Sequence, residues 1–197
     1  MKRISGRDGT PIIGIAGWKK SGKTTLTVRL VEEFTRRGLR IATVKHAHHN
    51  FQIDDGDTDS ARHRRAGAGQ VAVVSKKRWA VVKELNGAEE PDFADVIAWL
   101  DPCDLIIVEG YKSAPIPKIE ARRTASFDHE PMAASDPMIF AIAADHQVTG
   151  ERVPAFSLDD IAGLADLIAR TVGPLPVQAS GQVQQRTSTR KTEPQLE

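Results

Sequence analysis

The amino-acid sequence predicts an α/β fold, a doubly wound and mostly parallel sheet with helices on both faces. Three observations predict it. Short apolar runs typical of buried parallel strands alternate with segments of helical periodicity. A stretch rich in glycine and lysine, residues 17–24, separates the first such strand from the first such helix. The length of 197 residues suffices for one domain with a substantial core and is short for two.

The first 45 residues predict a strand–loop–helix–strand unit. After a polar segment, residues 1–10, which we expect to be flexible, Pro11–Ala16 is an apolar run typical of a buried strand. Thr24–Arg37 predicts a helix because its large apolar residues recur every four positions, and Gly38 stands where a glycine often ends a helix. Arg40–Lys45 predicts the next strand, so we expect a right-handed parallel crossover.

The rest of the chain alternates between predicted strands and helices, after a polar loop at residues 46–59. The predicted strands are Gln70–Ser75, Arg78–Lys83, Asp104–Glu109, Lys118–Arg122 and Met138–Ala144. The predicted helices are Ser60–Ala68, Asp92–Leu100 and Ser157–Val172. Ser157 or Asp159 is placed to cap the last helix. Because the chain becomes polar beyond residue 177, we predict one domain over residues 11–177 and a disordered tail over residues 178–197.

The composition is that of a globular protein with balanced charge. Hydrophobic residues make up 40% and charged residues 27% of the chain, and 27 Lys and Arg stand against 26 Asp and Glu. A net charge of +1 supports neither nucleic acid nor an anionic membrane as a partner. The single Cys103 cannot form an internal disulfide, and residues 12–18 are too short an apolar run for a signal peptide or a membrane span. We therefore expect a cytoplasmic protein.

The loop after the first strand predicts a phosphate-binding site. Its sequence, GWKKSGKT, fits the P-loop pattern G-x-x-x-x-G-K-[ST] and lies between a predicted strand and a predicted helix. Glycines let the backbone N–H groups surround a phosphate, and the helix N-terminus favours an anion. Lys23 would contact the β- and γ-phosphates, and the Thr24 hydroxyl would ligate Mg²⁺. The predicted nucleotide-binding residues of this loop are Gly17, Trp18, Lys19, Lys20, Ser21, Gly22, Lys23, Thr24 and Thr25.

Two carboxylates are candidates for the metal side of this site. Glu109 ends the apolar run LIIV, the position of a Walker B acid, and we predict that it acts with Lys23 in catalysis and with Thr24 at the metal. Whether Glu109 ligates the metal directly or orients a water is left open. Asp59, in the polar loop, is a second candidate, although any of the four aspartates between residues 54 and 59 could instead cap the helix that follows.

Basic residues predict contacts with a second anionic ligand. Lys45, His46 and His48 follow the second strand, and we expect them, with Lys112, to contact a phosphate or polar substrate. A zinc site is the weaker alternative because no cysteine or third-ligand spacing completes it. The basic run at residues 62–65 is equally consistent with a solvated helix face and with capture of an anion.

Asp145 follows the predicted strand MIFAIAA and is a candidate for recognising a guanine base. A carboxylate there can accept hydrogen bonds from guanine N1–H and the exocyclic amine, a pair of donors that adenine lacks. The residues before it are Ala143 and Ala144, not the Asn-Lys-x of many GTP-binding proteins, so the match is partial. A turn-forming role for Asp145 stays open.

Taken together, several motifs resemble those of the molybdopterin-guanine dinucleotide biosynthesis protein B (MobB) family. In order, they are GWKKSGKTTL, VKHAHHNFQID, DTDSARHRRAGA, KRWAVV, LIIVEGYK and FAIAAD, and the resemblance covers roughly residues 11–172. It implies a P-loop NTPase fold, GTP and Mg²⁺ as ligands, weak GTPase activity and a homodimer. It also implies metal-side carboxylates at Asp59 and Glu109 and a ligand-side lysine at Lys45. Trp18 occupies the position where many relatives in the wider class carry an additional lysine.

The function that the resemblance implies is that of an adapter in molybdenum cofactor biosynthesis. Such a protein assists the guanylyltransferase (MobA) that attaches GMP to molybdopterin, and the phosphate of molybdopterin or its molybdenum form would approach Lys45, His46, His48 and Lys112. The main alternative is an ATP-dependent small-molecule kinase or ligase of the dethiobiotin-synthetase type. A scaffold with a vestigial nucleotide site is the third.

Overall fold

A computed structural model of the chain describes residues 5–47, 51, 53, 56–126, 129–173 and 175–176. The strands are β1 (Ile12–Ala16), β2 (Ile41–Lys45), β3 (Gln70–Val74), β4 (Trp79–Lys83), β5 (Leu105–Glu109), β6 (Lys118–Arg122), β7 (Ile139–Ala144) and β8 (Ala155–Ser157). The helices are α1 (Lys23–Arg36), α2 (Asp59–Arg65), α3 (Phe93–Ala98) and α4 (Ile161–Val172). None of the helices in these ranges is long and apolar enough to cross a membrane.

The main sheet has six parallel strands in the order β2-β5-β1-β6-β7-β8. Alternate residues of β1 face opposite sides, because successive side chains of a strand point to opposite faces. Ile13 and Ile15 pack with α1 and α4, and Ile12 packs with Ile97 of α3 on the other side. The predicted α/β fold, with helices on both faces of a parallel sheet, is confirmed.

The segment β3–β4 departs from the predicted single sheet. The two strands pair antiparallel and form a separate hairpin. Their connection is a short turn in which Ser75 N–H donates to the carbonyl of Arg78. A turn of this length can join only antiparallel neighbours, whereas parallel strands need a long crossover. The short strand β8, which the sequence analysis missed, takes the outer position beside β7 instead.

The helix caps correct two expectations. Helix α4 begins at Ile161 and is capped by Asp160, whose carboxylate accepts from Gly163 N–H at 3.0 Å, so neither Ser157 nor Asp159 is the cap. Ser157 belongs to β8, which moves the start of the helix along the chain. Helix α2 is capped by Thr58 and not by an aspartate. At the end of α1, Gly38 adopts φ 85° as predicted.

The structure describes only part of the two chain ends for which the sequence predicts flexibility or disorder. A short 3₁₀ helix covers Arg7–Gly9. Residues 1–4 and the whole of the predicted disordered tail, residues 178–197, lie outside the described ranges. His48 lies outside them as well.

Candidate nucleotide-binding site

The P-loop lies at the carboxyl edge of the parallel sheet, between the end of β1 and the start of α1. Strand β1 has β5 on one side and β6 on the other. The residues that end these two neighbouring strands therefore flank the loop, which is the usual place for a ligand in an open α/β sheet.

Two glycines of the loop have backbone conformations that other residues rarely adopt. Gly17 has φ 148°, and a Cβ there would clash with Ser21 Oγ and lie 2.6 Å from the backbone carbonyl oxygen of Ala121. Gly22 has φ 92°, and its Cβ would lie 2.7 Å from Nε of the flexible Arg123 side chain. The backbone contact at Gly17 and the positive φ at Gly22 therefore favour glycine at both positions.

Ser21 supplies a polar group that fits an absent anion. The residue is 1% exposed, and its Oγ has no hydrogen-bond partner among the described residues. A buried hydroxyl without a partner is costly, and ligand binding is one way to satisfy it. The remaining predicted loop residues, Lys19, Lys20 and Thr25, are exposed to solvent.

The Lys23 ammonium lies against the loop itself. Its Nζ donates to the carbonyl oxygen of Trp18 at 2.7 Å. Burial lowers the pKa of Lys23 below its ordinary value, Glu109 opposes this by raising the pKa, and the charges of Lys112 and Lys45 lower it further. Lys23 therefore lies within the electrostatic influence of two further lysines, Lys45 and Lys112, and one carboxylate, Glu109.

Glu109 and Thr24, predicted to act together at the metal, are in direct contact. The Thr24 hydroxyl donates to Oε1 of Glu109 at 2.7 Å, and Lys45 Nζ lies 3.5 Å from the same oxygen. Glu109 is buried, whereas the Asp59 side chain is 93% exposed and its described ion pair is with Arg62, at 3.8 Å. The structure thus brings Glu109, and not Asp59, into contact with Thr24.

Trp18 is held on several sides by residues distant in sequence. Its Nε1–H donates to the carbonyl oxygen of Glu130 at 2.9 Å, and its indole stacks on His129 with ring centroids 4.5 Å apart. The ammonium of Lys112 lies 4.0 Å from the indole centroid, a cation–π contact. No local pattern in the sequence marks His129 and Glu130. Lys112 contacts Trp18 of the P-loop, and its role at a second ligand stays a prediction.

His46 is engaged away from the loop. Its Nε2 lies 2.9 Å from Oε1 of Glu90, and its ring centroid is 4.5 Å from that of Tyr111. Burial, with Glu90 adding to it, raises the pKa of Tyr111. A role for His46 at a second ligand stays a prediction. To bind such a ligand, the imidazole would have to leave Glu90 and Tyr111 or contact the ligand in addition to them.

Asp145 organises the turn that follows β6. Its Oδ1 accepts hydrogen bonds from Thr124 N–H at 2.9 Å and from the Thr124 hydroxyl at 3.1 Å. The same oxygen lies 2.9 Å from Nδ1 of His146. The bond with His146 lowers the pKa of Asp145 most, and the two bonds with Thr124 contribute. The turn-forming role is therefore present in the structure, and recognition of guanine by Asp145 stays a prediction.

The fold and the P-loop place the chain in the class of P-loop NTPase-like α/β proteins. A family profile described as molybdopterin guanine dinucleotide synthesis protein B (MobB) matches residues 12–145. The chain belongs to this family.

Curated and structural relatives agree with this membership. Over 167 residues the chain is 34% identical to the molybdopterin-guanine dinucleotide biosynthesis adapter protein of Escherichia coli, a match that covers 84% of this chain and 95% of that protein. The adapter protein of Haemophilus influenzae is 34% identical over 158 residues, 80% of this chain and 87% of that one. The crystal structure of a MobB homologue from Bacillus stearothermophilus superposes on this chain with a TM-score of 0.61 and is 26% identical in sequence. The match covers 81% of this chain and 98% of that one. The predicted family is confirmed, and its members support the adapter function over the ATP-dependent alternative.

Proposed function

We propose that this chain is a GTP-binding adapter that assists a molybdenum cofactor guanylyltransferase of the MobA type in forming molybdopterin guanine dinucleotide. One observation carries the nucleotide part of the proposal. The P-loop combines an unpartnered buried Ser21 hydroxyl and the Lys23 ammonium with the contacting pair Thr24 and Glu109. The adapter part rests on the relatives, which are molybdopterin-guanine dinucleotide biosynthesis adapter proteins.

The donors at the loop suit GTP with Mg²⁺. Backbone N–H groups at the start of α1, the Ser21 hydroxyl and Lys23 would hold the phosphates. Hydroxyl and carboxylate oxygens are ligands that Mg²⁺ prefers, and Thr24 and Glu109 offer one of each. Within the described ranges no cluster of three or more His, Cys, Asp or Glu could hold a metal alone, so phosphate oxygens and water complete the proposed shell. Asp59 is the second proposed metal-side carboxylate.

Slow GTP hydrolysis would rest on positioning and charge neutralisation. Bound Mg²⁺ would supply compensation for the negative charge of the phosphates. Lys23 would stabilise charge on the β- and γ-phosphates, while Glu109 would keep Thr24 oriented through their hydrogen bond. Lys45, His46, His48 and Lys112 are proposed to meet the phosphate of molybdopterin or its molybdenum form.

A homodimer is the proposed assembly, and the β3–β4 hairpin supports it. One face of the hairpin contacts α2 through the buried Val71. On the opposite face Val74 pairs with Trp79 and Ala72 with Val81, while the polar pair of Gln70 and Lys83 lies at the end away from the turn. Val74 and Trp79 are 75% and 69% exposed. A second copy of the chain that covers this face would remove it from water.

The proposal is tested by a reconstituted guanylyltransferase reaction. We expect the chain to increase the formation of molybdopterin guanine dinucleotide by purified guanylyltransferase, and Lys23→Ala to remove the increase. Calorimetry should give at least a tenfold weaker affinity of Lys23→Ala for GTP, since a charge-assisted contact is lost. Arg170→Ala removes an exposed charge in the last turn of α4, outside the proposed site, and is the matched control. An unchanged GTP affinity of Lys23→Ala contradicts the nucleotide site, and no effect of the parent chain on the transferase contradicts the adapter function.

A further inference from the structure

Arg123 lies against the P-loop and was not among the residues that the sequence analysis selected. It directly follows β6, the neighbour of β1 on the side opposite β5. Its Nε, Cζ and Cδ approach to 2.7, 3.2 and 3.4 Å from the place where a Cβ of Gly22 would stand. The guanidinium therefore packs over the last glycine before α1, a position that the absence of a side chain at Gly22 makes available.

Among the residues that the structure describes, none offers an acceptor to the Arg123 guanidinium. It is half-buried, and no hydrogen bond or ion pair joins its side chain to any residue within the described ranges. The preceding Arg122 differs, because it donates to Glu120 and contacts Glu151. A guanidinium carries five N–H donors and stays charged, so a partly buried one without an acceptor is suited to an anion. The unpartnered Ser21 hydroxyl, buried in the same loop, indicates an absent ligand independently.

We infer that Arg123 binds the α- and β-phosphates of the nucleotide. The inference rests on the proposed function and deepens it. The metal-side pair of Thr24 and Glu109 lies on the β5 side of the loop, and Asp145, the proposed base contact, directly follows β7 on the other side. Arg123 directly follows β6, which lies between β1 and β7. A nucleotide that runs from the metal to the base therefore presents its α- and β-phosphates, and not its γ-phosphate, to Arg123.

Arg123 places a positive charge on the β6 side of the loop, whereas the carboxylate of Glu109 lies on the β5 side. An Arg fork can donate two parallel hydrogen bonds to one phosphate, which a lysine cannot reproduce. Arg123 is thus a second cationic contact beside Lys23, contributed by the same chain, and it binds groups that GTP and GDP share.

The test compares GTP and GDP affinities of the full-length chain by calorimetry. For Arg123→Gln we expect the affinities for both nucleotides to fall by the same factor, about tenfold. Arg123→Lys keeps the charge and loses the fork, so its loss should be smaller. Arg170→Gln, which removes the same charge from an exposed site in the last turn of α4, is the matched control and should bind as the parent does.

Three outcomes would overturn the inference. Parental affinities of Arg123→Gln would remove the contact, and a loss for GTP alone would move it to the γ-phosphate. The unliganded variant should melt at the parental temperature, because no described bond of Arg123 is lost, so a clearly lower melting temperature would indicate a structural role. The proposed function fails separately, when the parent and Lys23→Ala bind GTP equally.

Discussion

At the scale of single residues, burial and pairing set the chemistry of the loop. Glu109 is buried at the end of β5 and accepts from Thr24, so its position is defined by a contact present without ligand. Lys23 is held close by the carbonyl of Trp18. The two groups predicted to carry catalysis thus occupy a preorganised arrangement, which reduces the cost of ordering them when a nucleotide binds.

Glu109→Gln keeps the shape of the side chain and removes its negative charge beside the proposed metal. We expect the Mg²⁺ dependence of GTP hydrolysis to weaken sharply, while nucleotide binding falls less because the loop N–H groups remain. Hydrolysis measured across a Mg²⁺ titration checks this, with Asp59→Asn as the comparison. If Asp59→Asn loses the Mg²⁺ effect and Glu109→Gln keeps it, the two carboxylates have exchanged roles.

The lowered pKa of Lys23 predicts a pH dependence of stability. Between its folded-state pKa and the higher pKa of the unfolded chain, the unfolded state binds more protons, so the free energy of unfolding rises with pH in that window. Lys23→Met should lack this rise, whereas the exposed Lys19→Met should keep it. Chemical denaturation from about pH 8 to about pH 11 measures the difference. Equal slopes for the parent and Lys23→Met would contradict a folded-state pKa below that of the unfolded chain.

At the scale of elements, the hairpin and α2 form a unit apart from the main sheet. Strand β3 rests on α2 through Val71, and the apolar outer face of the hairpin has no cover within the described residues. Isolated two-stranded hairpins are marginal in water, so packing on α2 stabilises this one. In the proposed homodimer, contact with the second copy would stabilise it further.

Trp79→Ser removes the largest apolar side chain from the outer face of the hairpin. If that face is the homodimer contact, the dimer should dissociate at higher protein concentrations than the parent dimer does. Light scattering during size exclusion, over a concentration series, measures the change. Trp99→Ser is the control, because Trp99 at the end of α3 is similarly exposed, at 67% against 69%. The same oligomeric state for the parent and both variants at every concentration would remove the hairpin from the interface.

At the scale of the whole molecule, the carboxyl ends of four adjacent strands form the proposed nucleotide site. The strands β5, β1, β6 and β7 lie side by side. Glu109 ends β5, and the P-loop, Arg123 and Asp145 follow the other three strands. The proposed contacts for metal, phosphates and base therefore lie along one edge of the sheet, in the order in which the strands lie.

Base selection belongs to this scale, because Asp145 acts across the site from the P-loop. If its carboxylate accepts from guanine, the parent should prefer GTP to ATP, and Asp145→Asn should weaken GTP binding by about 1–3 kcal/mol. XTP should bind Asp145→Asn better than it binds the parent, since the new amide donates to the carbonyl that replaces the guanine amine. Competition against a fluorescent nucleotide measures all three ligands. Equal affinity of the parent for GTP and ATP would leave Asp145 only its turn-forming role.

The sequence by itself determined the features that depend on neighbouring residues. Apolar runs specified the main parallel strands, four-residue spacing specified α1, and the P-loop pattern located the phosphate site between β1 and α1. Gly38 marked a helix end because the left-handed conformation there is cheapest for glycine. Each of these signals lies within a short stretch of sequence, so it can be recognised without knowing the order of the strands in the sheet.

Only the tertiary structure decided which distant residues surround the loop. Trp18 meets Glu130 across 112 positions of sequence, and Arg123 reaches Gly22 only because β6 lies beside β1. Likewise β3 and β4 have strand-like sequences, yet they pair with each other and leave the main sheet. Such contacts follow from packing and strand order, which no short pattern encodes, and they determine how the loop is held and what charge it presents to a nucleotide.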